Sequence, residues 1–396
     1  MSCGLFILSL SLGLICLPAL VYLGWLSLLS VRPRHSARSV GSRFAFVVPA
    51  HNEASQIAAT VSSLRAVDYP ADTFEVVVVA DNCTDDTAGL AAAAGAKVLS
   101  RQHASLKGKG YALEFAFAAL VEADPRLDAL VVVDADTLVD KDILQIFAGC
   151  IASGARAMQG HYGVSNPLAS WRTRLIAVAM AMFHRLRSLG RERLGVSAGL
   201  RGNGMCFTTA LLREHPHQAF GLVEDVEYGI ALGRAGIRVV YADAARVYGE
   251  MVADAEGSRS QRQRWEGGRW ALVKRDLLPL AGAALRCRNP LLGDLAMDLA
   301  VPPLSYLGLA LGVGTALELV RWGAYGACSP LTLGLWGTGW ACLLAYVGRG
   351  LVLSELGLAG VSALCWAPFF VGWKVLLLLR PGRKTAAWVR TKRQGE

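Results

Sequence analysis

Four stretches without a charged side chain divide this chain: residues 1–31, Leu299–Leu317, Trp322–Gly348 and Leu356–Trp373. A helix needs about 20 apolar residues to cross the hydrocarbon core of a bilayer. The chain must therefore lodge apolar helices at both ends, with its charged residues gathered between and beside them. With 54% hydrophobic and 18% charged residues and a mean hydropathy of +0.39, it is too apolar for an ordinary soluble enzyme. Residues 43–275 read as a globular domain long enough to bury its own core.

The first run is not a good secretory leader. It has no positive segment before it, and it is long for such an apolar region. Cys16 follows Ile15 where a lipoprotein site wants a small residue. Arg32, Arg34, Arg38 and Arg43 come just after it, and positive charge stays on the cytoplasmic side. Residues 1–31 are thus expected to be a retained anchor in the inner (plasma) membrane, its N-terminus outside and the central domain cytoplasmic. Residues 276–379 should supply interfacial and transmembrane helices. Lys274–Arg288, at their start, looks amphipathic and interfacial, and spans are expected near 295–319 and 331–353. The run 356–379 is either a third crossing or an interfacial or re-entrant helix, which Pro368 and Lys374 would favour. The tail 380–396 has six basic residues and one acid, which argues for the cytosol.

The nine cysteines form no Cys-x-x-Cys pair, and several lie in the apolar runs, so neither a zinc site nor a disulfide framework is indicated. The net charge of +9 does not point to nucleic acid, because the central domain lacks a basic patch interleaved with aromatics. Its basic residues cluster beside the apolar runs, which suits lipid headgroups and a phosphate-bearing substrate.

Inside the central domain short apolar runs alternate with helical patterns. Strands are expected at 44–48, 75–80, 97–99 and 129–133, with helices at 53–66, before Gly95 and at 109–122. Strands this apolar are covered on both faces, which implies a mostly parallel α/β sheet. Three strands end in polar loops, Pro49-Ala-His-Asn-Glu53, Asp81-Asn-Cys-Thr-Asp-Asp-Thr87 and Asp134-Ala-Asp136. Ligands bind beyond the carboxyl ends of such strands, so these loops should share one cleft.

Asp134 and Asp136 hold alternate positions at a strand end, so both could reach one hard cation such as Mg²⁺ or Mn²⁺; Asp-capped turns are also common. Lys107-Gly-Lys-Gly110 opens a helix, as a diphosphate site or as a basic capping turn. Glu224-Asp225 can supply a general base or simply begin an exposed helix. In Gln261-Arg-Gln-Arg-Trp265 the first and last residues lie at i and i+4 with Arg264 beside them. Arg suits a pyrophosphate and Trp a sugar face, although Arg and Trp also flank membrane helices. Arg269 and Trp270 are assigned to that interfacial class. Arg201–Phe207, rich in glycine, is expected to line an acceptor pocket. Residues 171–193 form a helix lying either on the bilayer or in the core. His51, His161 and His184 are single and receive no catalytic role.

In order, VPAHNE (48–53), DNCTDDT (81–87), GKGYAL (108–113), DAD (134–136), VED (223–225) and QRQRW (261–265) resemble the family 2 glycosyltransferases, in particular membrane-bound synthases of cellulose, hyaluronan and chitooligosaccharide. The resemblance covers about residues 43–275. It implies a GT-A (Rossmann-like) α/β domain flanked by N- and C-terminal transmembrane helices, with a nucleotide-sugar donor, commonly of uridine. By the same resemblance Glu53 and Asp81 would hold the nucleoside and Lys109 the nucleotide phosphates. Asp136, with Asp134, would bind Mg²⁺ or Mn²⁺ at the diphosphate. Asp225 would be the general base, and Gln261, Arg264 and Trp265 would meet the acceptor sugar and the leaving diphosphate. Val223 replaces the family's Thr before the acidic pair, and Trp388–Thr391 resembles a gating loop of the synthases. The implied reaction is an inverting transfer to a growing poly- or oligosaccharide, with partner subunits compatible. The alternatives are a single transfer to a lipid, an inactive scaffold subunit of a synthase, and, more remotely, a nucleotidyltransferase.

Overall fold

The structure, a computed structural model, describes residues 2–32, 37–251, 255–327, 329–367, 369 and 372, with only the backbone of 255–265. Helix α1 (Ser2–Leu29) comes first. The central domain then runs β1 (Phe44–Ala50), α2 (Ile57–Arg65), β2 (Phe74–Asp81), α3 (Thr87–Ala93), β3 (Lys97–Arg101), α4 (Lys109–Ala123), β4 (Ala129–Val132), β5 (Thr137–Val139), α5 (Ile143–Ala152) and β6 (Ala157–Val164). A continuous rod follows: α6 (Trp171–Met180), a π-helical turn (Ala181–Leu186) and α7 (Arg187–Arg193). Then come β7 (Met205–Thr208), α8 (Thr209–Glu214), α9 (Glu224–Arg234) and β8 (Val239–Gly249). The C-terminal part is helical: α10 (Ala255–Cys287), α11 (Pro290–Ala300), α12 (Leu304–Tyr325), α13 (Pro330–Ser354) and α14 (Leu358–Leu364).

The eight strands form one sheet in the order β3-β2-β1-β4-β7-β6-β8-β5. The four strands expected from the sequence are the parallel half. The sheet is mixed but mostly parallel, as expected: β6 pairs parallel with β8 and runs in the direction of that half, while only β7, antiparallel to both β4 and β6, and β5, antiparallel to β8, run against it. Alternation along β1 explains why its residues are nearly all apolar. Phe44, Phe46 and Val48 enter the core under α2, α3 and α5, while Ala45 and Val47 enter the opposite core under α4, α8 and α9.

A third core joins the domain to its apolar helices. Leu20, Leu23 and Leu26 of α1, Leu186 and Leu189 of the rod, Leu307 and Leu311 of α12, and Trp336 and Leu343 of α13 pack together. Helices approach closely where glycine stands: a Cβ on Gly24 would meet Cys342 Sγ at 2.8 Å, and one on Gly314 would overlap Trp336, the small-residue contact common between membrane helices. Helices α1, α12 and α13 are each long and apolar enough to cross a membrane. Helix α12 starts at Leu304, not near residue 295. Pro302 and Pro303 break the chain there, and residues 290–300 form the separate α11, whose Asp294 and Asp298 turn inward.

Those aspartates explain the rod. Arg185, Arg187 and Arg191 are buried. Arg185 pairs with Asp243 at 2.8 Å, Arg187 with Asp298 at 3.3 Å, and Arg191 with Asp294 at 2.7 Å and Asp298 at 3.0 Å. Of the two sequence expectations for residues 171–193, the core helix is the one observed. The tail 380–396, including Trp388–Thr391, and most of 368–379 lie outside the described residues.

Candidate active site

The loops after β1, β2 and β4 open into one cavity of about 1650 Å³, lined by Glu53, Asp81, Lys109, Asp134, Asp136 and Asp225 among others. The loop ends are stitched by asparagines in left-handed conformation, Asn52 (φ 57°) and Asn82 (φ 53°), a region asparagine tolerates better than most residues. Asn52 Oδ1 accepts from the Thr84 amide at 2.7 Å, and Asn82 Oδ1 from the His103 amide at 2.9 Å. Asp81 is buried and paired with Arg101 at 2.6 Å. Neither Arg101 nor His103 was marked by sequence spacing; they come from the end of β3, whose register on β2 brings Arg101 opposite Asp81.

Lys109 stands at the first turn of α4 and reaches across the cleft. Its Nζ donates to Asp134 Oδ1 at 2.5 Å and to the Gly202 carbonyl at 2.5 Å, with Glu224 Oε1 at 3.9 Å. Burial pulls this ammonium toward neutrality, but Asp134, Glu224 and Asp225 together outweigh it and hold its pKa above the usual lysine value. Asp134 and Asp136 are half-buried on the same wall, with Ala135 turned into the core between them. The Asp134 amide donates to Asn203 Oδ1 at 3.2 Å, and Asn203 Nδ2 donates to Thr137 Oγ1 at 2.8 Å. Among the described residues no cluster of three or more His, Cys, Asp or Glu could hold a metal. Two oxygen-bearing side chains facing a cleft are nonetheless the donor set that Mg²⁺ uses when substrate phosphates complete its shell.

Glu224 and Asp225 open α9 on the opposite wall. Val223 at the N-cap provides no side-chain hydrogen bond; its methyls instead face Gly268 of α10, where a Cβ would come within 3.0 Å. Burial raises Glu224 to about 7, reinforced by Asp225 and opposed by Lys109. Burial also raises Asp225, opposed by the Val226 amide, Lys109 and Arg201. Such displaced carboxyls suit proton transfer near neutral pH.

Gly202 faces this pair. Its φ of +82° explains why glycine stands there, and a Cβ at this position would lie 3.4 Å from Asp225 Oδ2. Gln261, Arg264 and Trp265 lie on α10, but their side chains fall outside the described residues. The next turn of α10 lines the cavity through Glu266 and Arg269. Arg269 corrects its interfacial assignment: it is turned inward and donates to the carbonyls of Asp298, Leu299 and Val301. Trp270 stays about half exposed.

From Asp225 the cavity continues away from the sheet, between α6, α12 and α13. Its walls there include Leu175, Ile176, Gly308, Leu309, Val313 and Leu344. A polar cleft thus opens directly into an apolar groove.

A family model described as "Glycosyltransferase like family 2" matches residues 42–268. The chain is similar to "Probable glycosyltransferase YdaM" of Bacillus subtilis (25% identical over 236 residues, 57% of this chain and 55% of that protein). It is also similar to the "Beta-monoglucosyldiacylglycerol synthase" of Synechocystis sp. (30% identical over 238 residues, 56% of this chain and 47% of that protein). The chain thus spans about half the length of the curated relatives it matches. Among solved structures it is similar to mannosyltransferase PcManGT from Pyrobaculum calidifontis, in complex with GDP-Man and Mn²⁺, with a TM-score of 0.55 and 20% identity, over 89% of this chain and 99% of that one. At that identity the likeness shows the fold, a GT-A-like α/β architecture.

Proposed function

The chain belongs to glycosyltransferase-like family 2, and from that premise we propose that it is a membrane-anchored enzyme transferring a sugar, with inversion, from a nucleotide diphosphate sugar to a lipid acceptor. The observation that carries the acceptor class is the continuity of the Asp225 cleft with the apolar groove between α6, α12 and α13. An acyl or isoprenoid chain gains by burial there. A growing polysaccharide, the preferred expectation from sequence, would need a run of hydroxyl-binding partners, and beside the Leu, Ile, Val and Gly walls the groove offers few, Ser305 and Trp340 among them.

In this reading the nucleoside sits by Glu53 and Asp81, and its diphosphate lies between Lys109 and the Asp134/Asp136 wall. Asp134 and Asp136 would hold Mg²⁺ or Mn²⁺, which when bound supplies charge neutralisation on the diphosphate. Asp225 accepts the proton as the acceptor oxygen bonds to the anomeric carbon. The bond from that carbon to the diphosphate breaks, and the nucleoside diphosphate leaves with the electron pair. Gln261, Arg264 and Trp265 would border the acceptor and the leaving diphosphate, since the following turn of their helix reaches the cavity. Helices α1, α12 and α13 would cross the membrane with the domain on the cytoplasmic side, where Arg32 and Arg349 lie near the ends of α1 and α13.

The test is transfer by purified protein in nanodiscs made with a total bacterial lipid extract, neutral and anionic lipids included, with a panel of nucleotide sugars and Mg²⁺ or Mn²⁺, Asp225→Asn being the control. A single glycolipid, lost in the variant, is expected. A ladder of soluble oligosaccharides would overturn the lipid acceptor while leaving the transferase; nucleoside diphosphate release from no donor would overturn both.

A further inference from the structure

Where the polar cleft passes into the apolar groove, its wall turns cationic. Arg187, Arg201 and Arg269 all line the cavity, and all three guanidiniums lie over one ring, Phe183, at 4.7, 4.6 and 5.9 Å from its centroid. Their paired countercharges do not suffice. Arg187 and Arg191 share Asp298, and Arg191 also takes Asp294. Among the described residues neither Arg201 nor Arg269 has a carboxylate within ion-pair distance. Four guanidiniums therefore share two ion-paired carboxylates, with Asp225 and Glu266 on the cavity wall beside them but not paired to Arg201 or Arg269.

Arg201 is the least satisfied member. It is 7% exposed, its Nη2 makes a long 3.3 Å bond to the Ala198 carbonyl, and its Nε has no hydrogen-bond partner among the described residues. A buried donor on a cation without a counterion is costly. Burial accordingly lowers the pKa of Arg201, and lowers that of Arg269 to about 10. A phosphate would satisfy the planar donor fork and the unpaired charge together. The position is specific: Arg201 adjoins Gly202, whose neighbour across the cleft is Asp225, and the apolar groove begins on its other side.

We propose that Arg201 and Arg269, against Phe183, seat the phosphate of an anionic lipid acceptor, with the lipid's chains in the groove and its hydroxyl at Asp225. This deepens the lipid-acceptor reading and rests on it. The same chemistry would also hold the diphosphate departing from the donor, so the experiment must separate the two.

The holoprotein is assayed in neutral-lipid nanodiscs with its donor sugar and three acceptors: phosphatidylglycerol, diacylglycerol of the same chains, and a soluble oligosaccharide. Wild type should favour phosphatidylglycerol over diacylglycerol in kcat/KM by about tenfold or more, the worth of one hydrogen bond to a charged group. Arg201→Gln should bring that ratio near unity, and Arg201→Lys should retain part of it. The wild-type ratio alone is decisive if a variant does not fold. Transfer to diacylglycerol alone overturns this proposal and leaves the lipid reading standing. Transfer to the oligosaccharide alone, or to none of the three, overturns both. A raised KM for the donor with an unchanged lipid ratio in Arg201→Gln would assign the arginines to the diphosphate and also overturn it.

Discussion

Lys109 and Asp134 meet across the cleft at 2.5 Å, and the same ammonium holds the Gly202 carbonyl. One side chain thus links the start of α4, the end of β4 and the glycine loop that faces Asp225. Lys109→Met keeps the length of the side chain and removes its charge. Its loss should lower kcat by about 10²-fold or more, the scale on which removing a preorganised charge-stabilising group acts. Single-turnover measurement of nucleoside diphosphate release checks it; a loss below about threefold would remove Lys109 from the phosphate site.

Asp225 is the proposed base, and Asp225→Asn retains its shape without the ability to accept a proton. Transfer should fall by about 10²- to 10⁴-fold, with nucleotide affinity measured by calorimetry little altered. A loss of nucleotide binding of the same size would mean that Asp225 serves the donor instead.

The acidic pair also sets a pH dependence. Asp225 must be ionised to act, and burial raises its pKa. Activity should therefore vanish as pH falls through a limb lying above the ordinary aspartate range, toward the value of about 7 to which Glu224 is raised. The pair shares its protons, so the limb reports both groups. Glu224→Gln removes the neighbouring negative charge and should move the acid limb of kcat/KM to lower pH. A limb that stays in place would separate Glu224 from the titration.

Much of the donor half was legible because its signals are local. The runs 44–48 and 75–80 are apolar on both faces and end in polar loops, and those strands and loops stand where alternation put them. Strands β5 to β8 were not legible. In Val239–Gly249 the apolar run is interrupted by Asp243 and Arg246, and Asp243 is buried only because Arg185, 58 residues earlier, meets it. The arginines around Phe183 escaped for the same reason. Arg269 looks like a membrane-flanking residue until α11 brings the carbonyls of residues 298–301 beneath it. Long-range pairing of buried charge leaves no periodicity along the chain.

Gly202→Ala tests the loop held by Lys109. At φ +82° a Cβ costs about 1–2 kcal/mol, while at 3.4 Å from Asp225 Oδ2 it makes only ordinary contact. The variant should melt lower, with transfer more impaired than nucleotide binding. An unchanged melting temperature and rate would show that the loop adopts another conformation in solution.

The apolar groove can be narrowed from one helix. Gly308 and Gly312 stand one turn apart on α12 and both line the cavity, and a Cβ at either would meet nothing within 4 Å. Substitution there should add bulk without displacing a neighbour, so Gly312→Leu and Gly308→Phe should fold. If the groove holds acceptor chains, the side chain occupies volume that distal methylenes would fill, and each displaced methylene forfeits about 0.8 kcal/mol of burial. The KM should thus rise most for long-chain acceptors, and preference should shift toward shorter chains. Rates across a series of acceptors differing only in chain length measure this directly. A uniform change at every length would place the chains elsewhere, whereas a shortened optimum would map the groove to α12.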